Sequence, residues 1–173
     1  MGNEIPNAVT LKCTSILTGE TPILVDDQIK TVRDIFLLQS GKPLPTFALN
    51  DKLSIVESHI IQMPKEIYIQ EVVDIRLSNG FHMEVSPGTL LMSLSGDGGW
   101  KPIVSFNVDD KVFGCEFSVN RGVVGKVFTV THIEKKILPL QTSAYTFICE
   151  HGNLLLPKAQ EDKGSIEFVC VQQ

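Results

Sequence analysis

Two apolar alternations meet at Asn79-Gly80, and that junction constrains the fold more than any other stretch of the chain. Upstream, Glu71 to Leu77 reads as a strand. Downstream, Phe81-His82-Met83-Glu84-Val85 alternates with period two. Asn and Gly tolerate the positive φ that a tight two-residue connection demands, so the segment is predicted to be a β-hairpin. After it come a Ser86-Pro87-Gly88-Thr89 corner, a short apolar strand, a Gly-rich turn at Gly96 to Gly99 and a strand entered through Trp100.

The rest of the chain obeys the same period. Ala8 to Cys13, Thr21 to Val25 and Gln28 to Ile35 read as short strands, with turns at Gly19-Glu20 and Asp26-Asp27. Phe36 to Ser40 suits either a strand or a helical turn. From Lys52 to Gln70 the β-branched content is high, and Pro64 permits only an edge strand or a bulge there. Glu116 to Val119, Val123 to Glu134, Ala144 to Cys149 and Ser165 to Val171 follow as strands. No long segment sustains apolar residues at i, i+3, i+4 and i+7, so few or no helices are expected and the class is all-β.

With 173 residues and 43% apolar composition, one domain with an ordinary core is expected. Residues 1–8 read as an N-terminal arm or a segment that precedes the domain proper, and 9–173 as a single β domain. No run of about 18 apolar residues occurs, and the N-terminus lacks a basic region followed by an apolar one, so neither a membrane span nor a signal peptide is expected and the chain is read as intracellular, cytoplasmic. The net charge of −5 comes without a basic block, which disfavours nucleic acid as a partner. Cys13, Cys115, Cys149 and Cys170 form no C-x-x-C pair. That argues against structural zinc and against a disulfide framework, so no metal and no cofactor is expected. Cys115, Cys149 and Cys170 sit among apolar neighbours and read as buried, inert thiols.

A weak internal repeat is present. Lys30 to Leu37 can be laid on Lys101 to Val108, so that Val32 meets Ile103, Ile35 meets Phe106 and Leu37 meets Val108. Each copy follows a strand and a turn, as two duplicated β halves would leave it.

Three pieces in order, Thr18-Gly19-Glu20-Thr21-Pro22-Ile23, then the hairpin through Ser86-Pro87, then Trp100-Lys101-Pro102-Ile103 to Asp110-Lys111-Val112, make the chain resemble the Hint domain of hedgehog proteins and inteins. Val130-Thr131-His132-Ile133 and Ala144 to Ile148 resemble that family's closing strands. The likeness spans about residues 9 to 156. It implies a pseudo-twofold, horseshoe-like fold of two interlocked β halves.

The resemblance also implies a reaction. A Cys, Ser or Thr at the domain's first position attacks the preceding carbonyl, and a His in a Thr-x-x-His corner protonates the departing amide nitrogen. Cys13 is the candidate nucleophile, with the Lys12 carbonyl as its target. Yet the family's nucleophile lies about three residues before the glycine, whereas Cys13 lies six before Gly19 and Ile16 holds the expected place. The corner here is Ser86-Pro87-Gly88-Thr89, so Thr89 stands where the acid belongs. His82, four residues earlier, would share a face with Ser86 by alternation and offers a substitute imidazole. His59 and His132 read as hydrogen-bonded structural residues. No asparagine follows Asn153, so splicing is not expected.

Three functions compete on these residues: a degenerate Hint-like scaffold or interaction module, hedgehog-type autoprocessing at Cys13 with Ser86 and His82 assisting, and an unrelated β-barrel that binds a small ligand. The strands from Ile55 to Ile69 read as protected edges able to pair with a protein partner. The oligomeric state is left open.

Overall fold

The computed structural model describes residues 15–38, 41–52, 54–96, 98–118, 120–158 and 165–172. Twelve strands run in chain order: β1 Leu17–Thr18, β2 Pro22–Val25, β3 Gln28–Thr31, β4 Leu44–Leu49, β5 Ile55–Leu77, β6 His82–Val85, β7 Leu90–Ser93, β8 Gly99–Pro102, β9 Lys111–Ser118, β10 Gly122–Cys149, β11 Asn153–Pro157 and β12 Ser165–Gln172. One α-helix, α1 (Val32–Leu38), and one 3-10 turn (Ile103–Ser105) are the helical elements among the described residues. No helix among them is long and apolar enough to cross a membrane.

Ten strands form one sheet in the order β11-β12-β7-β9-β10-β1-β6-β5-β4, with β8 on β7, while β2 and β3 pair alone. The long strands β5 and β10 pair along most of their length and also reach different partners, β4 and β9. Pro64 falls in a bulge: Lys65 faces Thr146 and Gln62 faces Ile148, so two residues of β5 oppose one of β10. A proline, which offers no N–H to the ladder, is expected at such a place.

The two halves meet where Leu17 of β1 pairs with Val85 of β6. On either side the backbone repeats itself. The amide of Thr21 donates to the Thr18 carbonyl at 3.1 Å, and that of Thr89 to Ser86 at 3.1 Å. Val32 donates to Thr21 at 3.0 Å, and Ile103 to Thr89 at 2.7 Å. Arg33 donates to Gly19 at 3.0 Å, and Val104 to Pro87 at 3.2 Å. Even the hydroxyls match, with Thr18 and Thr21 3.3 Å apart and Ser86 and Thr89 3.0 Å apart. The fold is therefore all-β with pseudo-twofold halves, and the sequence repeat that places Val32 on Ile103 is a real structural equivalence. Val32, Ile35, Ile103 and Phe106 are all buried in the main core with Leu17, Ile75, Phe81 and Val85.

Two local expectations are corrected. The strand expected over Gln28 to Ile35 ends at Thr31, and a helix begins at Val32. Thr31 and Asp34 form a reciprocal cap, with the Asp34 amide donating to Thr31 Oγ1 and the Thr31 amide to Asp34 Oδ2, both at 3.2 Å. Such a box satisfies two amides that the first helical turn leaves without partners. Thr31→Ala should lower stability by about 1 kcal/mol, read as a shifted urea midpoint at unchanged slope.

The Asn79-Gly80 connection is a hairpin, but a three-residue one. Leu77 donates to the Phe81 carbonyl at 2.9 Å, and Gly80 donates to Leu77 at 2.9 Å. Only Gly80 takes positive φ, at 89°. Asn79 instead uses its side-chain oxygen to accept from the Phe81 amide at 3.0 Å. A type I turn closed by one left-handed glycine is the ordinary three-residue solution. The two-residue turn with positive φ at both positions lies at Asp26 and Asp27, at 54° and 62°, between β2 and β3.

Candidate functional site

Ser86 and Thr89 stand at the corner between β6 and β7, both buried, and they converge on the backbone of Ile16. Thr89 Oγ1 accepts from the Ile16 amide at 3.2 Å and donates to the Ile16 carbonyl at 3.2 Å. A hydroxyl has one proton to give, so the 3.0 Å contact between Ser86 Oγ and Thr89 Oγ1 is donated by Ser86. The Ser86 amide adds a bond to the Ile16 carbonyl at 3.0 Å. The Ser86 amide and the Thr89 hydroxyl are thereby engaged by the backbone of Ile16.

Ser15 completes the arrangement. Its buried hydroxyl donates to the Gln172 carbonyl and accepts from the Leu90 amide, the latter at 3.1 Å. The end of β12 thus abuts the peptide just upstream of β1, because β12 pairs with β7 through Gln172 and Leu90. Neither Ser15 nor Gln172 is among the site residues that the sequence pointed to. The pairing of β12 with β7 that joins them is a long-range contact with no local signal.

Chemically the site is mild. The side chain at Ile16 carries no nucleophile, and a threonine hydroxyl stays neutral far above physiological pH, so Thr89 can hold an amide N–H but cannot hand a proton to a leaving nitrogen. Cys13 lies outside the described residues. The other three thiols are buried: burial pushes Cys115 and Cys149 up to about 12, and it raises Cys170 as well, with the nearby Cys115 and Cys149 adding to it. Thiols so raised are inert at neutral pH.

His82 is not brought together with Ser86. β6 ends at Val85 and the chain turns inward at Ser86, so alternation no longer applies across that boundary. His82 stays half exposed, and its Nε2 lies 2.9 Å from Asp74 Oδ1. Asp74 is buried on β5. Burial opposes its ionisation most strongly, but the Lys136 hydrogen bond at 3.0 Å and the charges of His82, Lys136 and Arg76 together outweigh it and hold the carboxyl below its ordinary value. His132, read from sequence as a hydrogen-bonded residue, has a buried Nε2 with no hydrogen-bond partner. His59 does have one, contacting Glu150 at 3.2 Å.

An all-β chain of two pseudo-twofold halves, with a hydroxyl corner from one half closing on the peptide that enters the other, defines the Hint architecture. The fold is similar to that of solved inteins. The fold matches the TvoVMA intein with a TM-score of 0.72 at 14% identity, covering 91% of this chain and 96% of that one. It matches a DnaB intein from Synechocystis sp. PCC 6803 at 0.65 and 10% identity, over 91% and 97%. A bacterial intein-like domain from Clostridium thermocellum gives 0.64 at 14% identity, over 92% and 98%. No protein-family model matches the sequence, and no curated protein matches it. In fold, the chain is like these inteins rather than the unrelated β-barrel of the third sequence expectation.

Proposed function

We propose that this chain is a degenerate Hint module that neither splices nor cleaves itself and serves as a scaffold or interaction domain. The observation that carries the reading is the Ser15–Ile16 peptide: Ile16 offers no nucleophile, and the Thr89 hydroxyl occupies the hydrogen-bonding position at its amide nitrogen. The positions that would need sulfur and imidazole hold a hydrocarbon and a hydroxyl. Thr89 is fully buried and Ile16 half-buried. Among the described residues, β5 pairs only with β10 between Lys65 and Val72, leaving its other edge for a partner strand. Exposed Tyr68 on β5, with Ile137 and Leu140 on β10, offers apolar contact beside that edge.

Intact mass tests the reading. The chain should keep its full 19.1 kDa after incubation with dithiothreitol or hydroxylamine, because no thioester or ester forms for either to resolve. Loss of Met1 to Lys12 under those conditions, abolished by Cys13→Ala, would instead establish autoprocessing at Cys13.

A further inference from the structure

On one face of the β6-β5-β10 sheet, Asp74, His132 and Glu134 bring one ligand atom each within 4.8 Å of one another. The register explains the grouping: Arg76 of β5 lies opposite His132 of β10, and Asp74 lies opposite Glu134. Period-two alternation then turns Asp74, His132 and Glu134 to the same side. Two of these residues hold buried polar atoms left without hydrogen-bond partners, Asp74 Oδ1 and His132 Nε2. The Asp74 side chain is only 2% exposed. His82 Nε2 approaches Oδ1 to 2.9 Å without the alignment of a hydrogen bond, and Arg76 Nε stands 3.6 Å away. A buried carboxylate oxygen without a partner is costly, and so is a buried ring nitrogen. Their common position is what needs explaining.

We propose that Asp74, His132 and Glu134 bind a divalent transition metal ion of the zinc class, with His82 at the edge of the site as a further nitrogen donor. His132 Nε2 lies 3.5 Å from Glu134 Oε1, close to the roughly 3.3 Å between ligands about a tetrahedral zinc. One nitrogen and two carboxylates suit zinc or cobalt, and the half-exposed edge leaves room for water to complete the coordination. Lys136 binds the other Asp74 oxygen at 3.0 Å and Glu84 at 3.2 Å, which fixes the carboxylate with Oδ1 free for the ion. Asp74, Glu84 and Glu134 supply three carboxylates against the two fixed cations Arg76 and Lys136. The sequence argument against zinc concerned thiol spacing alone and does not reach this set. No residue that contacts the Ser15–Ile16 peptide takes part. A bound ion would clamp β5 to β10 where the two halves share their longest strands.

The test is titration of the full chain, stripped with a chelator and dialysed, with Zn2+ by calorimetry and with Co2+ by visible absorption. One ion per chain should bind at micromolar or lower concentration, with weak visible Co2+ bands. His132→Gln and Glu134→Gln, both at sites exposed enough to keep the fold by circular dichroism, should each weaken binding by about 100-fold or more, since partners that merely orient a ligand are worth 10- to 100-fold. Absence of saturable binding would overturn the proposal. So would binding that both variants leave unchanged, or an intense thiolate-to-cobalt band showing that cysteine holds the ion.

Discussion

Gly114→Ala should lower stability by about 3 kcal/mol, at the severe end for overpacking, and reduce the melting temperature by about 8 °C. Gly114 lies on β9 between two neighbours, opposite Lys126 of β10 and Val169 of β12. A Cβ built there would sit 2.5 Å from the Phe168 carbonyl oxygen and 2.7 Å from Phe128 Cδ2. The carbonyl belongs to a strand held in register on both sides by β11 and β9, and the Phe128 ring is buried. Neither can retreat without opening the core, which is packed as densely as a crystal. Gly125→Ala is the control. That residue faces Cys115 across the same ladder but is exposed, and its added methyl would meet only Phe113 Cε1 at an ordinary 3.6 Å. Relief of glycine's backbone freedom in a strand should there give a gain of about 0.5 kcal/mol. Thermal unfolding of the two variants beside the parent decides it: equal melting temperatures would show that β12 is not seated as tightly on β9 as the geometry requires. The consequence reaches the functional corner, because β12 is the strand that delivers the Gln172 carbonyl to Ser15.

What the sequence made legible and what it hid divide along contact distance. The hairpin at Asn79-Gly80, the bulge at Pro64 and the equivalence of Val32 with Ile103 were readable because each is written in adjacent residues: a turn former, a missing N–H, an apolar period. The α1 start was equally local and was missed only because Thr31 and Asp34 were read through the period of two rather than as a reciprocal cap. The Ser86 to Thr89 corner was found, and so was the anomaly at Ile16. What could not be read was their meeting. It depends on Leu17 pairing with Val85 across 68 residues and on β12 returning to β7, and nothing near Ile16 announces either. The charged cluster was hidden for a related reason. Asp74 and Arg76 alternate on one strand, His132, Glu134 and Lys136 on another, and each run alone resembles an ordinary solvated face. Only register superposes them and buries Asp74.

On the reading proposed above, the double variant Ile16→Cys/Thr89→His should give a chain that cleaves itself, the largest change expected of any substitution here. The reasoning is geometric. Thr89 Oγ1 already sits 3.2 Å from the Ile16 amide nitrogen, so an imidazole in its place meets the leaving nitrogen it must protonate. A thiol on the Cβ of residue 16 closes a five-membered ring of Sγ, Cβ, Cα, N and the Ser15 carbonyl carbon when it attacks that carbonyl, as an N-to-S acyl shift requires. In that step the thiol gives its proton to solvent as the carbon–sulfur bond forms at the Ser15 carbonyl carbon, the carbon–nitrogen bond between residues 15 and 16 breaks, and the freed nitrogen takes a proton from the introduced imidazole, which solvent reprotonates. Dithiothreitol then exchanges onto the thioester and releases residues 1–15. Each single variant supplies one half of the chemistry, so the thiol alone should react slowly and the imidazole alone not at all, a non-additivity of the kind that groups acting as a unit show. Mass spectrometry over hours at pH 7 reads all four chains. A folded double variant that stays intact would mean that the corner has lost more than these two side chains, and the register that equates residue 16 with the reacting position would have to be given up.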